Sequence, residues 1–478
     1  MGNHQDQSWT GEHSLQLRDF VLSAMTALQT PGLSIAVVQG GGIVYAEAFG
    51  VRSVTNPLPV TVQTRFMIGS ATKPLTTLMM ARVVDQKKLD WSTPVVALLK
   101  EFVLADHEIT QRLELRHAAS NCVGMPRRIE FLFRYSGSNP EARLAEMKKM
   151  QPTTGIGEVF YYSNYLFAAG GYAAARAVAP DATLEQAFET AMTDFVFRPL
   201  GMNDTFLRPE PALQGEAALP HANDVAGCPT AISLELEKTC HSLSPAGGAW
   251  STVHDMARYL MLELGNGCMP EGTRLVSEES LLERRKKNTK IAPGLSYGLG
   301  LFVSEESGPR VIHHGGNTLG FSSDLFFIPE KGLGVVLLTN QGLAVGLVAS
   351  IRQRVLDLVL GAGSKAEEIL DGAIKKRAWT ARTNSGVATD PVSMAWIDAV
   401  LGLYRSEELG SARIIKKEDN YWIQFDTWAS ALGSETLYDG RHLLSMTTPP
   451  WCGNLVSVAD TGELLLDAGS IKYVFQKQ

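Results

Sequence analysis

Three features are scarce in this 478-residue chain, and each absence excludes a class of protein. The five cysteines are scattered and never form a C-x-x-C pair, which argues against a disulfide framework and favours reduced thiols in the cytoplasm. Basic residues do not cluster, and the net charge of -7 disfavours a nucleic-acid or anionic membrane surface as partner. No apolar run reaches the roughly 18 residues that a membrane-spanning helix needs.

The chain also lacks the patterns typical of an export signal or a bound metal. Residues 1–7 are polar, without an apolar core or a cleavage site, so we predict no signal peptide and a cytoplasmic location. No H-E-x-x-H helix or Cys/His set occurs, and His221 and His254 lack the spacing of metal ligands. The sequence therefore predicts neither a metal centre nor a cofactor.

Enough apolar sequence is present for more than one folded domain. Hydrophobic residues make up 45% and charged residues 19%, which is typical of a globular protein. Strand-like segments lie near 33–46 and 297–338, whereas helical periodicity dominates the residues between them. This arrangement predicts an α/β (α+β) domain over 15–365, with an antiparallel sheet flanked by helices and a helical subdomain inserted at about 75–225.

The last quarter of the chain has a different pattern. Residues 366–392 are mostly polar and punctuated, which is typical of a linker. Short segments of alternating hydrophobicity follow, for example 421–425 and 471–475. Period-two runs at this spacing predict a small all-β domain, a barrel or a sandwich, over 393–478.

Ser70-Ala71-Thr72-Lys73 is the only Ser-x-x-Lys in the chain, and it opens an amphipathic helical run over 71–89. Residues three apart share one face of a helix, so the Ser70 hydroxyl and the Lys73 amine are expected one turn apart. The free N–H groups at a helix N-terminus favour developing negative charge. The spacing therefore predicts that Ser70 is a nucleophile.

Further clusters supply partners for such a serine. In Tyr162-Ser163-Asn164, a phenol and an amide two residues apart can face one cleft, and a phenolate beside an ammonium can accept the serine proton. His314-Gly315-Gly316-Asn317 belongs to 312–321, which we predict to be an edge strand with small residues where a ligand lies close to the backbone. A glycine-rich turn at 244–248 precedes another helical run.

In this order and spacing, the clusters resemble the serine β-lactamase-like family, closest to class C β-lactamases, D-alanyl-D-alanine carboxypeptidases and family esterases. The resemblance covers about 15–365. Some D-aminopeptidase-like members of the family also have an appended β-barrel domain, which would suit 393–478. It rests on Gly69 to Pro74 as Ser-x-x-Lys, Tyr162 to Asn164 as Tyr-x-Asn, and His314 to Gly316 as His-x-Gly. Supporting stretches are Leu89-Asp90 with Pro94, His117 with 124–126, and Gly247-Gly248 with Ser251-Thr252.

The resemblance implies a role for each motif residue. Ser70 would attack an ester or amide carbonyl and form an acyl-enzyme, while Lys73 and Tyr162 would share the general-base role. The backbone N–H groups of Ser70 and Asn317 would form an oxyanion hole, and His314 would orient Tyr162 or contact the substrate. The expected catalytic residues are Ser70, Lys73, Tyr162 and His314, and the expected substrate-binding and oxyanion residues are Asn164, Gly315, Gly316 and Asn317.

One departure from the family pattern bears on the substrate. β-Lactamases and carboxypeptidases usually carry Lys-Thr-Gly where this chain has His314-Gly315-Gly316. A lysine offers a substrate carboxylate a permanent charge, whereas histidine is mostly neutral near neutral pH. The departure favours esters, amides or less acidic substrates over β-lactams and D-Ala-D-Ala peptides.

The sequence thus predicts a serine hydrolase that cleaves a small ester, amide or peptide without a cofactor. Two alternatives stay open: an acyltransferase that passes the acyl group to an alcohol or amine, and a non-catalytic binding protein that keeps the fold. Gly294-Leu295-Ser296-Tyr297-Gly298 also matches the G-x-S-x-G elbow of α/β-hydrolases. That elbow needs a helix after it, and a strand-like segment follows in this chain, so we interpret the match as coincidental.

Overall fold

The chain folds into a mixed helical and sheet unit followed by a closed β-barrel. The computed structural model describes residues 8–133, 139–305, 308–361, 363–387, 394–436, 442–459, 461–467 and 471–478. The prediction for residues 1–7 therefore lies outside the described residues. Within the described ranges, none of the helices combines the length and apolar character needed to cross a membrane.

Short helices dominate the middle of the chain, and strands lie on both sides of it. The α-helices are α1 (Gly11–Leu28), α2 (Thr72–Asp85), α3 (Val95–Leu98), α4 (His107–Arg112), α5 (Leu115–Ser120), α6 (Glu130–Phe133), α7 (Pro140–Ala145), α8 (Asn164–Arg176), α9 (Leu184–Met192), α10 (Arg198–Leu200), α11 (Pro209–Ala212), α12 (Ser244–Gly247), α13 (Val253–Leu264), α14 (Glu278–Glu283), α15 (Val345–Leu360) and α16 (Lys365–Ser385). Shorter 3-10 segments are Gly69–Ala71, Glu146–Lys149, Leu234–Leu243, Pro329–Lys331 and Ala395–Val400, and Thr193–Phe197 is a π-helical turn. The strands are β1 (Gly32–Gln39), β2 (Gly42–Gly50), β3 (Phe66–Met67), β4 (His221–Asn223), β5 (Pro229–Ala231), β6 (Trp250–Ser251), β7 (Thr289–Ala292), β8 (Leu295–Tyr297), β9 (Phe302–Ser304), β10 (Val311–Asn317), β11 (Ser322–Ile328), β12 (Leu333–Thr339), β13 (Gly402–Ser406), β14 (Gly410–Lys417), β15 (Asn420–Phe425), β16 (Ala429–Thr436), β17 (His442–Met446), β18 (Leu455–Val458), β19 (Leu464–Asp467) and β20 (Lys472–Lys477).

The main sheet joins strands from both ends of the first 360 residues, in the order β2-β1-β12-β11-β10-β9-β8-β7. Its pairs are antiparallel, and Leu33 of β1 lies opposite Thr339 of β12. Strands β1, β11 and β12 are almost wholly buried, because helices cover both faces, and β1 and β12 are mostly apolar. Helices α1, α15 and α16 pack on one face, and the helices of the inserted segment pack on the other. The predicted fold class is confirmed.

Helix α2 differs from the amphipathic helix predicted over 71–89. It ends at Asp85, and all ten residues of Thr72–Ala81 are buried. Helices α8, α12 and α14 pack around it while the sheet covers the remaining side, so no face is left for solvent. The polar side chains on this helix are therefore buried too, and Thr72, Thr76 and Lys73 each form a hydrogen bond inside the protein. Burial of α2 also removes the Ser-x-x-Lys turn from bulk water.

Two strand predictions in the main sheet need correction. The segment 297–303 is not one strand, because β8 ends at Tyr297 and a turn containing Gly300, with φ +75°, precedes β9. The segment 312–321 is not an edge strand, because β10 lies between β9 and β11. However, β9 pairs only with Val311–His313, so His314–Asn317 has strand partners on the β11 side alone. The expected accessible backbone therefore exists over the second half of β10.

The residues predicted as a linker are mostly helical. Helix α16 covers Lys365–Ser385 and packs against α15 and α1 through Ala366 and Leu370. Residues 388–392 of that segment lie outside the described residues. The polar composition that is typical of a linker reflects a helix that buries only these two side chains. The boundary at 393 stays a prediction.

The C-terminal strands β13 to β20 close into an eight-stranded barrel in which sequence neighbours pair. Alternate residues point inward, as Tyr421, Ile423 and Phe425 of β15 show. The barrel core also contains aromatic side chains that reach the main unit. Phe133 of α6 lies 5.0 Å from the ring centroid of Phe425 and 5.3 Å from that of Trp428. Leu319, which follows β10, packs against the same cluster.

Candidate active site

The turn that carries Ser70 is held from three directions. Ile68 N–H donates to the Ala249 carbonyl at 2.9 Å, and Ser323 Oγ donates to the Ile68 carbonyl at 2.7 Å. Thr72 Oγ1 donates to the Gly69 carbonyl at 2.7 Å, which closes the turn before α2 begins. These hydrogen bonds come from β11 and from the segment before β6 as well as from the turn itself. The Ser70 hydroxyl is therefore carried by a backbone fixed to the main sheet.

Two glycines allow strand β10 to lie directly against this turn. Gly69 has φ +52°, and a Cβ there would come within 3.0 Å of the Asn317 backbone nitrogen. A Cβ at Gly316 would come within 3.0 Å of the Ala71 nitrogen and would also collide with the Ile68 carbonyl. Only glycine fits such a close approach of two backbones. The predicted oxyanion groups, the N–H groups of Ser70 and Asn317, are thus brought side by side.

Lys73 lies one turn after Ser70, as its spacing predicts, and it is fully buried. Its Nζ lies 3.1 Å from Ser70 Oγ and donates to Asn164 Oδ1 at 2.8 Å and to the Ala246 carbonyl at 2.6 Å. No acidic side chain among the described residues forms an ion pair with it. Burial lowers the pKa of Lys73 well below its ordinary value, and the charge of Arg127 acts in the same direction.

The contacts of Lys73 fit a neutral amine with one lone pair and two N–H bonds. The oxygens of Asn164 and Ala246 accept hydrogen bonds and cannot donate, so they take the two N–H bonds. The third contact of Nζ is the Ser70 hydroxyl, 3.1 Å away: a protonated amine donates to Oγ, and a neutral amine can accept the hydroxyl proton there. A neutral amine hydrogen-bonded to a hydroxyl has the geometry of a general base and its nucleophile.

Tyr162 meets Ser70 from the opposite side of the cleft. Ser70 lies close enough to the Tyr162 hydroxyl to affect its pKa, and the Tyr162 ring centroid lies 4.7 Å from Lys73 Nζ. Asn121 holds the segment before α8, because its carbonyl accepts from Tyr161 N–H at 3.0 Å and its Oδ1 accepts from Ser163 N–H at 3.1 Å. Burial raises the pKa of Tyr162 above its ordinary value. Burial thus favours the uncharged forms of both groups over the expected phenolate–ammonium pair.

His314 lies beside Tyr162 but is hydrogen-bonded elsewhere. Its Nδ1 is 2.7 Å from the Gly315 carbonyl, and its Nε2 is 3.0 Å from the Tyr297 hydroxyl. The rings of His314 and Tyr162 have centroids 6.2 Å apart. Burial, assisted by the charge of Lys73, lowers the pKa of His314 to about 3. The imidazole is thus a neutral wall of the cleft, with both nitrogens already occupied.

All the predicted site residues meet at one place, at the junction of the 3-10 turn Gly69–Ala71, α2, α8 and β10. Four groups at this junction were not identified from the sequence, although each lies near a segment that was considered there. The missed groups are Asn121, Arg127, the Ala246 carbonyl and the Tyr297 hydroxyl. Among the described residues, no group of three or more His, Cys, Asp or Glu side chains is arranged to hold a metal ion.

Known proteins share sequence and fold with this chain. Penicillin-binding protein 4 of Amycolatopsis lactamdurans is 25% identical over 346 residues, which cover 70% of this chain and 87% of that protein. The unguisins hydrolase ungD' of Aspergillus campestris is 26% identical over 322 residues, which cover 65% of this chain and 58% of that protein. The structure of an octameric penicillin-binding protein homologue from Pyrococcus abyssi has a TM-score of 0.63 at 21% identity, covering 96% of this chain and 99% of that one.

The structural likeness extends over the barrel as well as the main unit, so the whole two-part fold is shared. A Beta-lactamase family model matches residues 17–359, from α1 to α15. That range includes the Ser70 turn, Tyr162 and the His314 strand. The chain therefore belongs to the Beta-lactamase family, and its homologues are serine hydrolases.

Proposed function

We propose that this protein is a serine hydrolase that cleaves a small ester or amide through an acyl-enzyme on Ser70. The observation that carries the proposal is the hydrogen-bond set of Lys73. Two carbonyl oxygens accept from Nζ, no carboxylate among the described residues pairs with it, and its third contact is the Ser70 hydroxyl at 3.1 Å, which a neutral amine can deprotonate. A non-catalytic binding protein has no need of a serine with a neutral buried base.

In the acylation step, Ser70 Oγ attacks the substrate carbonyl carbon while its proton passes to Lys73 Nζ. The N–H groups of Ser70 and Asn317 stabilise the negative charge on the carbonyl oxygen, and losing one such donor typically costs about 2.7–4 kcal/mol. When the bond to the leaving group breaks, Tyr162 gives that group its proton. The Lys73 ammonium then returns a proton to the Tyr162 oxygen, which restores both neutral groups.

In deacylation, water takes the place of Ser70 as the nucleophile. Water attacks the acyl carbonyl and gives its proton to the Lys73 amine, and the same two N–H groups again hold the oxyanion. Collapse of the second tetrahedral intermediate releases the acid, and Ser70 Oγ recovers a proton from Lys73. Each cycle therefore consumes one water and leaves the enzyme unchanged, without a cofactor.

The substrate class follows from the electrostatics of the strand that faces Ser70. His314 is neutral with both nitrogens occupied, so this position offers no positive charge to a substrate carboxylate. Esters, amides and less acidic substrates therefore fit the cleft better than substrates that need a cation on the strand. Arg127 is an exposed cation within electrostatic reach of Lys73 and Tyr162, and it lies outside this strand.

The test is the intact mass of the protein after mixing with a p-nitrophenyl acyl ester, a D-amino-acid amide or a β-lactam. We expect one of these reagents, foremost the ester, to add an acyl mass to the wild type and none to add to Ser70→Ala. Ser296→Ala is the matched control, because Ser296 is the serine of the G-x-S-x-G match on β8. It should acylate like the wild type.

Tyr162→Phe tests the role of Tyr162 as the proton donor to the leaving group. It should slow turnover by about 10²-fold or more, which is typical for loss of general acid–base catalysis. Equal acylation of the wild type and Ser70→Ala, or no adduct and no turnover with any reagent, would sink the hydrolase proposal. Addition of methanol to the ester assay separates water from an alcohol as the acceptor, because an acyltransferase would form the methyl ester in preference to the acid.

A further inference from the structure

Tyr297 belongs to the G-x-S-x-G segment at 294–298, and its side chain contacts the candidate active site. Strand β8 ends at Tyr297, whose side chain is fully buried. Its hydroxyl lies 3.0 Å from His314 Nε2, although the two residues are on strands separated by β9. A turn at Gly298–Leu301 follows Tyr297, and in it Leu299 N–H donates to the Arg284 carbonyl at 2.9 Å.

The two hydrogen bonds of His314 fix which ring nitrogen carries the proton. The Gly315 carbonyl can only accept, so the nitrogen 2.7 Å away from it, Nδ1, must carry hydrogen. In a neutral imidazole the other nitrogen then has a lone pair, and the Tyr297 hydroxyl donates to it. Removing the Tyr297 hydroxyl would leave that lone pair without a donor, in a position where a proton can take its place.

Charged and titratable groups around His314 all oppose a proton at that position. Lys73 on α2 and Arg352 on α15 lower its affinity for a proton, and burial has a larger effect than either. The other facing groups are Tyr162 and the neighbouring His313, whose own pKa is lowered by burial and by Arg352. No acidic side chain is among the groups that act on the His314 imidazole.

We propose that Tyr297 is a positioning residue that holds His314 as an uncharged Nδ1–H imidazole and thereby makes the cleft prefer uncharged acyl donors. The preference rests on the proposed function, whereas the state of the imidazole does not. Phe302 completes the enclosure, because its ring centroid lies 5.2 Å from that of His314 and 4.7 Å from that of Tyr297. Tyr297→Phe removes one oxygen atom and keeps this packing.

The first experiment measures the imidazole directly, by ¹⁵N NMR of the full-length protein labelled at histidine. The His314 signals among the ten histidines are those lost in His314→Gln. We expect the wild type to show the Nδ1–H form down to about pH 5, and Tyr297→Phe to raise the pKa of His314 from about 3 by about two units, so that part of the imidazole is protonated at about pH 5.5. Tyr161→Phe is the matched control, because Tyr161 is an exposed tyrosine that flanks the same cleft.

A wild-type signal of the Nε2–H form would overturn the proposal without any variant. An unchanged tautomer and titration in a folded Tyr297→Phe would overturn it as well. These readouts need no catalytic activity, so they stand even if the hydrolase proposal fails.

The second experiment compares kcat/KM for two esters of similar size, p-nitrophenyl butyrate and the singly charged mono-p-nitrophenyl succinate. In the wild type the neutral ester should be favoured, with a ratio that is the same at about pH 5.5 and about pH 8. In Tyr297→Phe the ratio should move toward the anionic ester by about threefold or more at the lower pH only. Arg127 is present in both proteins, so its charge cancels from the comparison. A ratio that does not move, or moves equally at both pH values, would refute the link to substrate charge.

Discussion

Helix α2 has a buried cation on each side, and the two are held in opposite ways. On one side is Lys73, whose three hydrogen-bond partners are all uncharged oxygens. On the other side is Arg284, which follows α14 and donates to the Pro74 carbonyl at 2.6 Å and to Thr77 Oγ1 at 3.1 Å. Both side chains are fully buried.

The difference between them is a carboxylate. Arg284 donates to Glu263 Oε1 at 2.6 Å, and Arg285 donates to Glu263 Oε2 at 2.7 Å. Burial works against the charge of Arg284, but Glu263 and Tyr259 outweigh it, so the pKa of Arg284 is raised. The pKa of Lys73 is lowered because nothing comparable opposes its burial. A counter-ion keeps a buried cation charged, whereas burial without a counter-ion favours the neutral form, and removing one partner of a buried ion pair leaves the other charge uncompensated.

The largest effects should come from removing each cation in turn. Lys73→Met should lower kcat/KM by about 10³-fold or more, because the serine loses its base, while the fold is retained. Arg284→Met should instead cost about 3 kcal/mol of unfolding free energy, because Glu263 loses one of its two partners in a dry site. Ester assays and urea unfolding on both variants check this. If the two variants lost similar amounts of unfolding free energy, or if their folded fractions lost similar amounts of activity, Lys73 and Arg284 would not differ in role as described.

A smaller effect should follow from giving Lys73 the counter-ion that Arg284 has. In Asn164→Asp a carboxylate replaces the amide oxygen 2.8 Å from Nζ, which raises the pKa of Lys73 and leaves it protonated near neutral pH. We expect kcat/KM to fall by about 10²-fold at neutral pH and to recover as the pH rises. Asn164→Ala is the control, since it removes the acceptor without adding charge. Parallel pH profiles for the two variants would contradict this account.

The smallest effect concerns Glu237, the acidic counterpart of Lys73. Its Oε1 accepts from Gly320 N–H at 2.7 Å, no cation among the described residues pairs with it, and burial raises its pKa from 4.5 to about 7. The folded state therefore holds a proton that the unfolded state releases above pH 4.5. Its stabilising contribution is complete below that value and is lost as the pH rises through about 7, a change of about 3 kcal/mol.

Glu237→Gln should flatten the dependence of the melting temperature on pH between about 5 and 8, because the amide does not titrate. Glu235→Gln, at an exposed position on the same 3-10 segment, should keep the wild-type slope. Identical slopes in all three proteins would show that Glu237 does not titrate in this range.

The sequence is a good guide to elements with a local signal. Hydrophobic period and turn residues predict the strands near 33–46 and 324–338, the short alternating strands of the barrel and the helix after Ser70. Errors arise where tertiary packing overrides a local pattern. Helix α2 is buried on every side although its sequence suggests one polar face, and residues 366–385 are helical because α15 and α1 offer a surface on which to pack.

The sequence by itself determined the order of the three motifs, because spacing along a chain is a property of the chain. From that order come the family, the predicted nucleophile and the expectation that Asn317 lies near Ser70. The tertiary structure alone decides the pKa directions, since these depend on burial and on partners far away in sequence. Burial without a counter-ion lowers the pKa of Lys73, and the hydroxyl of Tyr297 donates to His314 in the proposed uncharged form. Such contacts exist only after β8, β10 and α12 have packed around α2.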